Sequence, residues 1–472
     1  MPRPDDDYRL GFESLDDAPP SIASLEIDGE MPGWLTGSLV RTGPAKFDLE
    51  EMKYRHWFDG LAMLHRFDFD AGDVSYRARF LESDAYLGAT EKGHATVSEF
   101  GTSDPCKSLF GRAMSLFKGE TGTDNANVNV GEIAGELVSM TETPMPIIFD
   151  RDTLETVDHL DYDDQLDGDI TTAHPLYDAE RDCIYNYLLE FGRKNRCRLY
   201  RQSTGERTRE EVAVVEMGRA PYMHSFNMTR HYLVLTQFPL TVNPLDLVKS
   251  GKPFIENYKW QPERGTRFTV VDKQSGRVVA DIETEPFFAF HHVNGFEDGP
   301  ELVVDLVAYP DPSIIDNLYL DELRGPGMNE LAGRLVRYRL DMRAGTARRE
   351  VVSGQSIELP RIHPGASMRD YSFVWGNGHS KQVQFLDEIT KIDVETGDAL
   401  VWREPARFPG EPVFVPRPDP DDEDDGVLLS IVLDTDAGTS FMLVLDAVDL
   451  DEIARARLPH RVPFGFHGQY LG

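Results

Sequence analysis

Thr269-Val-Val-Asp272-Lys-Gln-Ser-Gly276-Arg-Val-Val-Ala280 is a strand, a tight turn and a second strand. Glycine supplies the positive φ such a turn needs, and the aspartate can bond its own backbone. The same pattern, an acid and then a glycine four positions on, recurs at Asp68–Gly72, Asp341–Gly345 and Asp393–Gly397. Arg201–Gly205 keeps the glycine without the acid, while Asp150–Leu154 and Asp446–Leu450 keep the acid without the glycine. These seven hairpins start at intervals of 51 to 82 residues. A four-stranded propeller blade takes about 40–50 residues, so the spacing reads as one blade per hairpin with occasional insertions. The predicted fold is therefore all-β, a seven-bladed β-propeller with loops and helices capping one face. A β-sandwich would also show many hairpins, but not at this near-regular spacing. The whole chain, 1–472, reads as one domain, with residues 1–33, acidic and proline-rich, as an extended N-terminal arm.

Bulk properties narrow the function. Lys and Arg number 48 against 82 Asp and Glu, a net charge of −34. Such a surface repels nucleic acid, which excludes that class of partner. Acidity spread along the chain suits solubility at high salt; an ordinary acidic cytosolic protein is the blander reading. Three cysteines, Cys106, Cys183 and Cys197, are too few and odd for a disulfide framework. The N-terminus has no apolar run resembling a signal peptide, and no apolar stretch is long enough to span a bilayer. The expected location is the cytoplasm, with a peripheral position on the inner membrane face.

Four histidines take a common phase in the repeat. His174 (Thr-Ala-His174-Pro), His224 (Tyr-Met-His224-Ser-Phe), His291 (Phe-His291-His292-Val) and His467 (Phe-Gly-Phe-His467-Gly) each follow a hairpin start by 19 to 24 residues. Glu358 and Glu411 fall near that phase in two other units, and Glu142 is taken as the counterpart in the unit with the longest insertion. A lone histidine is usually a surface or satisfied core residue, but four in phase point to a shared axial metal. The other histidines, at irregular phases, are read as structural. His292 is the near miss, since successive strand residues face opposite sides. Imidazole suits Zn, Cu, Fe or Ni alike. Carboxylates beside three of the imidazoles would orient them and balance the charge. Aromatic settings around the histidines suggest redox chemistry with dioxygen on an apolar substrate.

These residues, with Arg-Thr-Gly-Pro at 41–44, His-Trp-Phe-Asp-Gly at 56–60, Ser-Asp-Pro-Cys-Lys at 103–107 and Thr-Asp-Asn-Ala at 123–126, resemble a known family. Thr-Glu-Thr at 141–143, Glu358-Leu-Pro-Arg and Gly-Glu411-Pro-Val-Phe-Val extend the likeness. The chain is similar to the carotenoid cleavage dioxygenases, including the animal β-carotene oxygenases and the retinoid isomerase of the visual cycle. The resemblance implies one non-haem Fe(II) per chain, held by His174, His224, His291 and His467. It implies that Glu142, Glu358 and Glu411 support His224, His291 and His467. It further implies that Phe100, Thr141 and Tyr309 line the substrate tunnel, Tyr309 replacing another aromatic. The implied reaction is cleavage of a carotenoid double bond by O₂ to two aldehydes, with β-carotene cut centrally to retinal. Eccentric cleavage, action on an apocarotenoid and isomerisation would use the same site, and a non-catalytic carotenoid-binding propeller is the reading from a different class. Membrane contact is expected through 108–118 and 238–260, where apolar and basic residues interleave. Cys106 matches a position acylated in some animal members.

Overall fold

In the computed structural model, which describes residues 8–104, 122–325, 332–380 and 385–472, the alternating stretches pair into seven antiparallel blades of a β-propeller. Alternation shows directly in burial. The strand Asp73–Phe80 buries every second side chain, whereas Gly426–Asp434, packed on both faces, is buried throughout. The first blade comprises Gly37–Lys46, Leu61–Asp70 and Asp73–Phe80, and its innermost strand is the C-terminal Gly468–Leu471. Ser38 pairs with Leu471 and Arg41 with Gly468, so the ring is closed by a backbone ladder. In the last blade, Glu26–Gly29 pairs with Glu452–Arg457 as an additional outer strand. The N-terminal segment therefore does more than extend over the surface. It contributes that strand, and at Tyr8–Phe12 a short 3-10 helix buries Phe12 against Trp57, Phe385 and Phe464.

The repeat of the sequence is the turn between third and fourth strands of each blade. In five blades the amide of the fifth turn residue donates to the aspartate carbonyl at 2.8–3.0 Å, at Asp150, Asp272, Asp341, Asp393 and Asp446. The aspartate carboxylates accept the amides within the turn, as the Asp272 carboxylate does from Ser275 and the Asp393 carboxylate from Thr396. Two starts are corrected by the register. Asp68 lies inside its strand, bonded to Ser38 and Arg66, and the turn there is Ala71-Gly72, because Asp70 pairs with Asp73. Arg201 pairs with Glu210 inside the sheet, and its hairpin turns beyond Gln202, which pairs with Arg209. Where glycine is missing, Leu154 and Leu450 adopt the positive φ themselves, at 61° and 64°.

Side-chain amides stitch neighbouring blades. Asn129 donates to the Ala173 carbonyl, Asn227 to that of Asn294, Asn294 to that of Ala366 and Asn377 to that of Pro409. Strand direction alternates within a blade, so connections from second to third strands and from blade to blade emerge on one face. The three longest insertions, within 81–128, 238–265 and 309–333, have that parity, and so does the shorter 379–387. They form the cap, with short helices such as Asp84–Lys92 and Pro244–Lys249. Among the described residues no helix is long and apolar enough to cross a membrane.

Leu154 is fully buried, so its positive φ is held by packing. Leu154→Gly relieves ~1 kcal/mol of left-handed strain but removes a core side chain worth ~2–5 kcal/mol. The expected outcome is a lower urea midpoint than wild type; an unchanged or higher midpoint would show that the leucine adds nothing. Deletion of 468–472 removes the closing strand and should lower the melting temperature far more than Leu154→Gly, as read by calorimetry.

Candidate metal centre

Each of the four histidines sits at the cap-side start of an innermost strand. His174 precedes Leu176–Asp178, His224 precedes Asn227–Met228, His291 precedes His292–Asp298 and His467 precedes Gly468–Leu471. Inner strands crowd the axis, so side chains entering them from one face converge. His174 Nε2 lies 3.0 Å from His224 Nε2, and His291 Nε2 lies 3.2 Å from His467 Nε2. One nitrogen from each of the four lies within 4.8 Å of the others.

Hydrogen bonds behind the rings set the tautomers. His224 Nδ1 donates to Glu142 Oε1 at 2.7 Å, His291 Nδ1 to Glu358 Oε2 at 2.6 Å, and His467 Nδ1 to Glu411 Oε1 at 2.7 Å. A carboxylate can only accept, so Nδ1 carries the proton and Nε2 presents a lone pair. Lone pairs facing each other at about 3 Å repel unless a cation lies among them. This donor set therefore fits a metal ion of the kind imidazole favours. His174 has no carboxylate partner among the described residues. Instead, the Ala173 carbonyl before it is held by Asn129, and its own amide donates to Thr172 Oγ1. Burial and the neighbouring histidines hold the His174 imidazole well below its usual pKa, and burial takes His467 down to about 4. Both rings are thus neutral at pH 7, as metal binding requires.

Each glutamate is itself held. Tyr222 Oη donates to Glu142 at 2.9 Å, and Tyr309 Oη to Glu358 at 2.8 Å. Arg361 grips Glu411 with Nε at 2.9 Å and Nη2 at 3.0 Å. Burial raises the Glu411 carboxyl, but Arg361, His467 and Arg41 outweigh it and hold the group well below the usual carboxylate range. Arg41, itself buried, also donates to the backbone carbonyls of Glu411 and Phe466. One expectation about phase is corrected here. Glu142 does not start an inner strand; it lies on the connection between Glu136–Met140 and Ile147–Phe149, and Asn129 begins the inner strand of that blade. That connection emerges on the cap face, so its carboxylate still reaches His224.

Tyr222, Arg361 and Arg41 were not singled out by sequence reasoning. Tyr222 stands two residues before His224, on the connection between Ala220–Pro221 and Asn227–Met228. Arg361 ends the Glu358-Leu-Pro-Arg motif and Arg41 begins Arg-Thr-Gly-Pro, so the signals were present without a role attached. The histidines read as structural have other partners. His292 bonds Ser225 and Thr236 hydroxyls at 2.8 and 2.7 Å. His56 Nε2 donates to the Ile315 carbonyl. A second grouping, Asp84, Asp124 and His159, is explained by capping, since the Asp124 carboxylate accepts the amides of Asp84 and Ala85 at the start of a helix.

The centre opens on a cavity of about 260 Å³ under the cap. Phe100, Thr141 and Tyr309 line it together with His224, His291 and His467. Phe58 packs at 5.1 Å from both Phe100 and Phe466, giving an aromatic wall. Of the two stretches expected at a membrane, 108–118 lies outside the described residues, as does Cys106. In 238–260, Phe238, Leu240, Val242, Ile255 and Tyr258 pack inward, while Leu245 is 58% exposed. Leu247 and Lys252 border the cavity.

A four-nitrogen axial centre beneath an aromatic-walled cap is the site of a metalloenzyme. The family model described as retinal pigment epithelial membrane protein matches residues 12–472. A mitochondrial carotenoid-cleaving dioxygenase of Macaca fascicularis is 35% identical, the match covering 97% of this chain and 93% of that protein. A chloroplastic carotenoid cleavage dioxygenase 8 homolog A of Oryza sativa subsp. japonica is 34% identical, over 95% and 85% respectively. The solved structure of a cobalt-substituted Synechocystis apocarotenoid oxygenase superposes with a TM-score of 0.88 at 24% identity, covering 99% of each chain. The chain belongs to the carotenoid cleavage dioxygenase family, that of the retinal pigment epithelial membrane protein, and is an oxygenase.

Glu411 is 1% exposed and Arg361 is its bidentate partner. Arg361→Leu should therefore destabilise the protein by about 3–5 kcal/mol, the usual effect of orphaning a buried charge. Denaturant titration checks this, and a change below about 0.5 kcal/mol, typical of surface sites, would show that Glu411 does not depend on the pair.

Proposed function

We propose that the protein is a non-haem Fe(II) dioxygenase that cleaves a conjugated double bond of a carotenoid with O₂ to give two aldehydes. In this reading His174, His224, His291 and His467 hold one iron per chain. What carries it is the convergence of four imidazole nitrogens on an apolar cavity, in a chain of this family. Fe(II) bound there supplies the one-electron chemistry that ground-state dioxygen needs to react with a closed-shell alkene. The double bond breaks and each fragment carries away one oxygen atom, so no proton has to move.

The chain's own residues do the rest. Glu142, Glu358 and Glu411 keep Nδ1 protonated and Nε2 aimed inward. Tyr309 holds Glu358 and so serves as both tunnel wall and brace. Phe100 and Thr141 complete the wall beside the histidines and exclude water from the polyene. Since one double bond resembles its neighbours, the bond that reacts is chosen by how far the polyene slides along this wall. β-Carotene cut at its central bond to retinal is the expected reaction. A membrane-dissolved substrate would reach the cavity by peripheral contact through 108–118 and 238–260, where exposed Leu245 neighbours the cavity-lining Leu247.

Purified full-length protein should contain about one iron per chain by metal analysis, and aerobic incubation with β-carotene in detergent should yield retinal by mass spectrometry. His224→Ala and His467→Ala should lose both iron and cleavage. Full activity in iron-free protein would overturn the mechanism; a longer apocarotenal would move the cleaved bond while leaving the mechanism standing.

A further inference from the structure

Two acids in the cavity wall take no part in holding the histidines: Asp169, whose carboxylate accepts from the Phe191 amide at 2.7 Å, and Glu99. Glu99 is 3% exposed and lines the same cavity as His224 and Phe100. Its Oε1 accepts from Thr123 Oγ1 at 2.9 Å, and among the described residues its carboxyl makes no other hydrogen bond. A second buried acid, Asp59, stands near it but is differently served. Asp59 accepts from the Gly101 amide at 2.8 Å, Thr102 Oγ1 at 2.6 Å and the His56 amide at 3.1 Å. Two charges cannot both be kept in so dry a place, and the one with three donors is better supported. Burial, and then the nearness of Asp59, push the Glu99 carboxyl well above its ordinary pKa, toward the protonated form. With Oε1 accepting from Thr123, the acidic O–H is on Oε2 and needs an acceptor.

We propose that Glu99 donates a hydrogen bond to an oxygen atom at one end of the substrate, so that the cavity selects polyenes bearing a terminal hydroxyl or carbonyl over hydrocarbon polyenes. The inference rests on the polyene-cleaving reading above and deepens it by putting an oxygenated carotenoid ahead of β-carotene as the preferred substrate. A hydrocarbon in the cavity leaves the Glu99 O–H buried and unpaired, whereas an oxygenated end satisfies it. Sites built this way discriminate against the partner lacking the polar group by about tenfold or more. Glu99 is also fixed relative to the metal centre. Thr123, its partner, accepts at its carbonyl from Thr143 Oγ1 at 2.6 Å, and Thr143 adjoins Glu142, which holds His224. An oxygen anchored at Glu99 therefore lies at a set distance from the histidines, and that distance chooses one double bond. Glu99 is thus a specificity residue that acts on preference and on register together.

The test uses the iron-loaded full chain and three polyenes: β-carotene, a carotenoid hydroxylated on its terminal rings, and an apocarotenal. Wild type should show a kcat/KM for at least one oxygenated polyene about tenfold or more above that for β-carotene. Which of the two is favoured distinguishes a ring hydroxyl from an aldehyde as the anchored group. Glu99→Leu should erase the ratio and spread cleavage over several bonds, as read by product mass. Glu99→Gln, whose amide still donates, should keep both preference and position. A ratio unchanged in Glu99→Leu, or a wild type favouring β-carotene, would overturn the proposal; the wild-type ratio needs no variant to fold. If no polyene is cleaved, the dioxygenase reading fails by itself, and quenching of tryptophan fluorescence then decides this one. Tighter binding of oxygenated polyenes, lost in Glu99→Leu, would sustain it, and equal binding of all three would sink it.

Discussion

The ladder between Gly37–Lys46 and Gly468–Leu471 is the constraint on which the remainder rests. Seven blades can share an axis only if the last is tied to the first, and here the two ends of the chain make that tie. An open ring would leave two blade faces without neighbours and an inner strand missing. The same residues place one of the four clustered histidines. The His467 amide donates to the Val128 carbonyl and its carbonyl accepts from Thr42, so the ring closes through the backbone of a histidine of the centre. Closure of the fold and completion of the four-nitrogen set are one event.

Charge around the centre follows from what each glutamate can afford to hold in the dark of the interior. Glu142 and Glu358 are braced by neutral tyrosines, whereas Glu411 is braced by Arg361 with Arg41 nearby at 3.9 Å. Three carboxylates and two guanidiniums leave the surroundings net negative before any cation binds. A divalent ion would therefore meet a site already inclined to receive it, and its charge would offset desolvation that the carboxylates alone would carry. Tyrosine and arginine also differ in kind. The tyrosine hydroxyl adds one bond and no charge, while the guanidinium fork fixes both oxygens of Glu411 and so the plane from which it holds His467.

What could be read from the residues was whatever repeats locally. The Asp-to-Gly turn recurs because a third-to-fourth-strand hairpin needs the same carbonyl, carboxylate and positive φ each time. Its two misplaced starts, Asp68 and Arg201, arise where strand register rather than composition sets the turn. Histidine phase was legible because, in six of the seven units, the inner strand starts 17 to 26 residues after the first residue of the repeat. Glu142 escaped its assigned phase because two kinds of connection reach the cap face, and spacing alone does not separate them. The pairing of Glu26–Gly29 with Glu452–Arg457 spans almost the whole chain and leaves no local trace. Arg361 and Tyr222 sat inside or beside motifs already noted, yet a brace acting through another residue has no signature of its own. Family resemblance supplied what spacing could not, naming a metal among several that imidazole accepts.

Parity of the connections divides labour in this molecule. Histidines stand at the roots of inner strands, where a shift would disturb a blade. Part of the cavity wall, from Val97 to Phe100 and from Leu247 to Asn257, is carried by insertions that leave every blade ladder intact. A loop can change its length or its side chains at small cost to a closed propeller, since loop entropy grows slowly with length. The metal centre is thereby held constant while the wall that meets the polyene is free to vary. Glu99 and Phe100 illustrate the point: they share one insertion, between the first and second blades, and neither pairs in any blade. A polar donor and an aromatic surface placed side by side on such a segment can set which substrate fits, and where it stops, with no change in the chemistry beneath.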